Sequence, residues 1–387
     1  MTRIWILIGT IILASCAKTQ PKRSTAEFDT VLKAAVDTKK VPGVVAIVAT
    51  GKEIVYEGAA SMDKDTIFAI ASMTKPVTSV AIMQLVEAGK IKLDEPASVY
   101  APELAKSQVL DGARMRAPKS PVTVGQLLTH TSGFGYEFMN SGLFAAVRGG
   151  KIPSALAGGD GFLRAPLLFD PGQKWEYGIS TDWLGRIVEL VSGKKLDEYF
   201  QANIFDPLGM KDSFFKVPDE KKARVAKLSQ RKEDGSLQEQ PASTRSGATF
   251  LSGGGGLFST ASDYIRFTQA ILNGGQLGDK RILKAETVAL MGQNHIGELN
   301  VQPLRSMAPA FAADNASLPA GLDKFGYGFA LNSKAIDKGR SANTMAWAGI
   351  FNTFFWIDRE KNVCAVLMSQ MSPGLELSEC HDSKLPG

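Results

Sequence analysis

Strand-forming segments lie at the two ends of this chain, and the sequence between them is largely helical. Residues 44–49 and 53–56 are rich in apolar and β-branched residues around Thr50-Gly51-Lys52, which predicts a hairpin. A second strand group is predicted at 326–331, 353–357 and 363–368. Between about 81 and 244 helical periodicity dominates. Near the N-terminus, Ser24-Thr25-Ala26-Glu27 reads as a capping box ahead of a helical stripe of Phe28, Val31, Leu32, Ala35 and Val36, which Pro42-Gly43 ends. With 387 residues, 44% of them hydrophobic, the chain can bury one large core. The expected fold class is mixed α/β, of the α+β kind.

Chemistry enters at Phe68-Ala69-Ile70-Ala71-Ser72-Met73-Thr74-Lys75-Pro76. Ser-x-x-Lys recurs at Ser15, Ser61, Ser192, Ser213 and Ser229, so the spacing alone selects nothing. Only Ser72 precedes a long apolar helical run, continued by Val77, Val80, Ala81, Gln84, Leu85 and Ala88 and closed by Gly89. Serine and lysine at i and i+3 share a helix face, so the Lys75 amine can reach the Ser72 hydroxyl. The unpaired N–H groups of a first helical turn make it positive and tolerate Pro76. That potential, together with burial, favours a neutral lysine able to act as a base. Ser72 is therefore a candidate acyl-transfer nucleophile with its base beside it.

Further blocks follow in order. The run Val122-Thr123-Val124-Gly125-Gln126-Leu127-Leu128-Thr129-His130-Thr131-Ser132-Gly133-Phe134 resembles a block of the serine β-lactamase-like superfamily. That superfamily includes class C β-lactamases, D-aminopeptidases, penicillin-binding DD-peptidases and family VIII carboxylesterases, the last being closest in motif pattern. Pro171-Gly172, Trp175-Glu176-Tyr177-Gly178, Leu184-Gly185, Ser192-Gly193, the run from Ile204 to Met210, the run from Gly253 to Tyr264, and Trp347-Ala348-Gly349 match it too. The resemblance covers most of residues 24–371 and implies an antiparallel sheet built from both chain ends, flanked by helices, with a helical subdomain at about 81–244.

Position by position, the resemblance makes Ser72 the acylated nucleophile, Lys75 its helix partner and Tyr177 the tyrosine of the second motif. A phenol is a poor base until a cation stabilises its anion, so a Lys75/Tyr177 proton shuttle is chemically reasonable. Either residue could take the serine proton. Trp347-Ala348-Gly349 falls where lactamases carry Lys-Thr-Gly, and the backbone N–H groups of Ser72 and Ile350 are implied as the oxyanion hole. Trp347 and Ala348 offer no ammonium or hydroxyl to a lactam carboxylate, and Ile179, third in the tyrosine motif, cannot hydrogen-bond a substrate amide. With Gly349, these residues form the expected substrate pocket. The expected function is a serine carboxylesterase for short-chain esters. A class C-like β-lactamase or D-amino-acid peptidase, and a catalytically silent penicillin-binding sensor, are the alternatives.

Other chemistries lack a signature. There is no Gly-x-Ser-x-Gly elbow, and of three histidines His295 and His381 lie in unremarkable segments while His130 belongs to a block whose reading is structural. No metal-ligand spacing occurs, the glycines at 253–256 precede no phosphate-loop lysine, and no cofactor is expected. Those glycines are read as a tight backbone turn beside the pocket. A net charge of +5, without aromatic-studded basic runs, gives no support for nucleic-acid binding.

Arg3 followed by an apolar run from Ile4 to Ala14 reads as a secretory signal, 1–15, and Leu13-Ala14-Ser15-Cys16 resembles a bacterial lipobox. Cys16 is then expected to carry lipid, with 16–23 as a tether, and Ala17 resembles outer-membrane sorting toward the periplasm. Membrane lipid and a small ester are the expected partners. Asp234-Gly235 reads as an exposed turn, and residues 145–165, rich in Gly and Ala, as a loop without assigned purpose. The tail, 372–387, lacks the long final helix usual in the superfamily. Cys364 falls in a predicted buried strand, which disfavours its pairing with Cys380.

Overall fold

The two strand groups meet in a single sheet. The computed structural model describes residues 25–112, 114–242, 249–314 and 321–373. We label the strands β1 (Val44–Thr50), β2 (Ile54–Ala60), β3 (Lys324–Phe325), β4 (Ala330–Leu331), β5 (Met345–Gly349), β6 (Thr353–Asp358) and β7 (Val363–Met368). They form a seven-stranded sheet in the order β3-β4-β5-β6-β7-β1-β2. Every pairing is antiparallel, and Val45 stands opposite both Ala59 of β2 and Met368 of β7. The junction of chain ends is therefore the β1–β7 ladder. Strands β5, β6 and β7 are buried along their whole length, which is why they read as continuous apolar runs rather than alternating ones.

Helix α1 (Thr25–Asp37) packs on β2, where Phe28 meets Tyr56 at 5.1 Å between ring centroids and the Tyr56 hydroxyl donates to Asp29 at 2.9 Å. Helix α2 (Thr74–Glu87) is buried on nearly every side, and its apolar surface all round suits that central position. Helices α3 (Val124–Leu128), α4 (Ser141–Arg148) and α5 (Ser180–Ser192) belong to the helical part, and α2 packs against α5. Helix α6 (Ala261–Leu272) lies across β1, β6 and β7, with Tyr264 against Phe355 at 5.3 Å.

The middle of the chain is not purely helical. Val109–Asp111 pairs with Arg114–Arg116, and Leu228–Arg231 with Leu237–Gln240. The second pair turns at Asp234-Gly235, where Gly235 has φ +80° and the Ser236 N–H donates to Asp234 at 2.9 Å. These strands are short and carry few β-branched residues, so only their turn was legible. Met371–Ser372 adds to this hairpin in parallel, so the chain beyond β7 continues as a strand rather than a helix through Ser372. The signal segment 1–15, the tether 16–23 with Cys16, the capping-box Ser24, and 374–387 with Cys380 lie outside the described residues. Cys364 is buried on β7 as a free thiol. Among the described residues, no helix is long and apolar enough to cross a membrane.

Candidate active site

The segment before α2 is clamped from several directions. Phe68–Ala69 pairs with Phe258–Ser259, the Ile70 N–H donates to the Leu257 carbonyl at 3.1 Å, and one tight turn, Ala71–Met73, leads into the helix. Ala71 has φ +43°, a left-handed backbone that costs a non-glycine residue about 1–2 kcal/mol. The surrounding ties hold it there: the Tyr264 hydroxyl donates to the Met73 carbonyl at 2.8 Å and the Leu257 N–H to the Thr74 hydroxyl at 3.0 Å. Ser72 is thereby placed on the wall of a cavity.

Lys75, only 2% exposed, reaches that wall from behind. Its Nζ donates to Ser72 Oγ at 3.3 Å, to the Tyr136 hydroxyl at 3.0 Å and to the Gly254 carbonyl at 2.7 Å. Three donors meet three acceptors, which satisfies a buried lysine. Tyr177 also faces Lys75, but through its ring, with Nζ 4.6 Å from the centroid. Its hydroxyl accepts from Trp347 Nε1 at 3.3 Å.

Tyr136 and Asp182 complete the polar shell. Asp182 Oδ1 accepts from Ser252 Oγ at 2.6 Å and from the Gly254 N–H at 3.1 Å, and Asp182 is hydrogen-bonded to the Tyr136 phenol. Burial, then the Asp182 charge, pushes the Tyr136 phenol well above its ordinary range, so it keeps its proton at neutral pH. Gly254 has to be glycine: a Cβ there would stand 2.4 Å from Asp182 Oδ2 and 3.0 Å from the Tyr136 hydroxyl. Gly178 is constrained likewise, its Cβ direction lying 2.3 Å from the Phe134 carbonyl.

The cavity measures about 460 Å³ and is lined mainly by apolar groups, among them Phe138, Phe162, Phe250 and Phe311. Ser72, Tyr177 and Ile350 all lie on its wall, so the two residues assigned to the oxyanion hole share one space. Asp182 is the only charged residue among the described lining residues. Trp347, Ala348, Gly349 and Ile179, expected at the pocket surface, are not among those that line it. Trp347 is buried against Tyr177 and Phe325, and Gly349 backs onto the Ile70 carbonyl, where a Cβ would stand 2.4 Å away. Ile179 is 2% exposed in the core just before α5. Trp347 and Gly349 thus back the wall, at Tyr177 and at the Ser72 segment, and Ala348 is buried in β5.

Reading the sequence missed Tyr136, Asp182 and the carbonyl of Gly254. Tyr136 lies two residues beyond the quoted block that ends at Phe134, and Asp182 five residues after Tyr177, so the motif neighbourhood carried a signal for both. His130 is enclosed by Trp175, Tyr177 and Phe325, and burial followed by the Lys75 charge holds it well below its ordinary pKa.

Comparison with known proteins agrees with this architecture. Residues 28–380 match the Beta-lactamase family, and the chain belongs to that family. It is 32% identical to lovastatin esterase of Penicillium rubens over 88% of this chain and 91% of that protein. It is likewise 32% identical to acyltransferase calJ of Penicillium decumbens, covering 84% and 80% of the two chains. The unliganded simvastatin synthase LovD of Aspergillus terreus superposes with a TM-score of 0.77 at 27% identity, over 92% of this chain and 95% of that one. The relatives thus include esterases and acyltransferases on a β-lactamase fold.

Proposed function

We propose that this protein is a serine esterase that cleaves neutral, short-chain carboxylic esters through an acyl-enzyme on Ser72. The observation that carries this reading is Ser72 Oγ at 3.3 Å from a buried Lys75, on the wall of an apolar cavity lined, among the described residues, by no cationic side chain. In this reaction Ser72 Oγ bonds to the ester carbonyl carbon. Its proton passes to the Lys75/Tyr177 pair, which returns a proton to the departing alkoxide, while Tyr136 keeps its own proton and holds Lys75 in place. The backbone N–H groups of Ser72 and Ile350 stabilise the oxyanion, and water then releases the acid. An alcohol in place of that water would give acyl transfer, the activity named for calJ.

A lactam carboxylate would enter a cavity whose one charged lining group among the described residues, Asp182, repels it. Leaving that carboxylate without a partner costs on the order of 1–3 kcal/mol, whereas an alkyl ester gains from the aromatic wall. The β-lactamase, D-amino-acid peptidase and silent-sensor readings are disfavoured on this ground, or by retention of the whole acyl-transfer group. The test is kinetic. Purified protein should show a larger kcat/KM for p-nitrophenyl butyrate than for a chromogenic cephalosporin, and Ser72→Ala should abolish ester turnover; the reverse preference would establish the lactamase.

We further propose a periplasm-facing membrane anchor through lipidated Cys16, supported by the lipobox-like tetrapeptide. Cys16→Ala should move the protein from membrane to soluble fractions, and a variant still wholly membrane-bound would overturn the anchor.

A further inference from the structure

Tyr136, which meets Lys75, is followed by a short turn, Glu137–Met139, whose residues divide between two tasks. Phe138 stacks on Tyr136 at 4.8 Å and meets Phe311 edge-on at 5.6 Å, which makes one cavity wall rigid and aromatic. Glu137 instead reaches the segment after α4. Its Oε1 accepts from Ser154 Oγ at 2.7 Å and from the Ala155 N–H at 2.9 Å. Ser154 Oγ in turn accepts from the Leu156 N–H at 3.0 Å, and the Ala157 N–H donates to the Ser154 carbonyl at 3.1 Å. One buried carboxyl group thus organises a four-residue turn.

That turn opens the stretch 155–159, all of which lines the catalytic cavity. The stretch belongs to no helix or strand and lies between α4 and the single turn Gly161–Arg164. Leu156 is 59% exposed, so core packing does not fix its outer side. At the far end, the Thr249 N–H donates to the Gly158 carbonyl at 3.3 Å. A wall held by so few polar ties moves when one is removed.

We infer that Glu137 sets the width of the substrate cavity by fixing the 155–159 wall, and so selects the length of ester chain that is accepted. This rests on the esterase reading. Glu137 is a positioning residue: its effect falls on the fit of the chain, and so on KM. Each methylene group that finds room gains roughly fourfold in binding, so a small displacement of the wall shifts the preferred chain length.

The experiment compares wild type, Glu137→Ala, Glu137→Gln and Ser154→Ala on p-nitrophenyl esters from acetate to decanoate, with hydrogen exchange read at the Ala155 amide. Glu137→Ala should raise the kcat/KM ratio of octanoate to butyrate by roughly tenfold, mainly through KM, and should lose protection at Ala155. Glu137→Gln, which keeps an acceptor oxygen, should restore both readouts. Ser154→Ala removes the Ser154 hydroxyl's ties to Glu137 and to the Leu156 N–H but leaves the Ala155 N–H on Glu137, so it should shift the ratio in the same direction by less, which keeps the test decisive if Glu137→Ala does not fold. An unchanged ratio in a folded Glu137→Ala variant, or unchanged Ala155 protection, overturns the role of Glu137 alone. A wild-type protein inert to every ester in the series overturns the esterase reading and this inference with it.

Discussion

The hydroxyl that Lys75 hydrogen-bonds, besides that of Ser72, belongs to Tyr136, at 3.0 Å. Tyr177, the tyrosine its motif identifies, presents its ring to Lys75 Nζ and its hydroxyl to Trp347. Lys75 thus meets two tyrosines, Tyr136 through its hydroxyl and Tyr177 through its ring, and under the proposed mechanism both bear on its proton transfer. Lys75→Ala is expected to lower kcat by at least about a hundredfold, and Tyr177→Phe by a similar factor, the usual size of lost acid–base assistance. Tyr136→Phe leaves Lys75 one acceptor short and should cost roughly ten- to a hundredfold. Steady-state kinetics on one ester decide the matter: near-native kcat in Tyr136→Phe would remove Tyr136 from this role.

Gly254 gives a backbone test of the same shell. Gly254→Ala places a methyl group against Asp182 and Tyr136 and should displace the carbonyl that Lys75 uses. We expect a loss of activity of two orders of magnitude or more, with the near-UV circular dichroism of the fold preserved. Full activity in this variant would mean that the Lys75–Gly254 contact is dispensable.

Stability should depend on pH through Glu176. Burial raises its carboxyl from 4.5 to about 7, against a hydrogen bond with Asn140 and the charge of Lys174, which both lower it. The folded protein therefore holds this proton more tightly than the unfolded chain. The associated stability is fully present below about pH 4.5 and is lost as pH rises through about 7. Glu176→Gln removes the loss, so its advantage in thermal stability over wild type should grow between about pH 5 and pH 8. The gain should reach on the order of 1–2 kcal/mol after allowance for partial exposure. Melting curves at both pH values check this, and a difference independent of pH would remove Glu176 as the source.

Burial pushes the Cys364 thiol up to about 12, and Thr268 only partly offsets this. A thiolate is the reactive form, so Cys364 should resist maleimide in the native protein and label only on unfolding. Peptide mapping after native and denaturing labelling reads the result. Rapid native labelling at Cys364 would show that β7 opens.

Ser72 and Lys75 were legible because helical spacing is a local property: three residues bring two side chains onto one face whatever the rest of the chain does. The strand segments were legible for a similar reason, since β-branched and apolar runs bounded by turns mark themselves. Local pattern also located Asp234-Gly235 as a turn. It could not say which tyrosine hydroxyl Lys75 would meet, because Tyr136 and Gly254 lie 61 and 179 positions away from Lys75 and only the folded chain brings them together. Nor could it distinguish the pocket surface from its support. Trp347 and Ile179 are apolar residues on neighbouring motifs, and whether such a side chain faces a cavity or the core depends on the packing of β5 against the Ser72 turn and of α5 against α2. The sequence by itself determined the pairing of Ser72 with Lys75 and the family of folds, whereas the shape of the cavity and the partners of its polar atoms were decided by tertiary packing, in which long-range contacts choose among side chains that are locally equivalent.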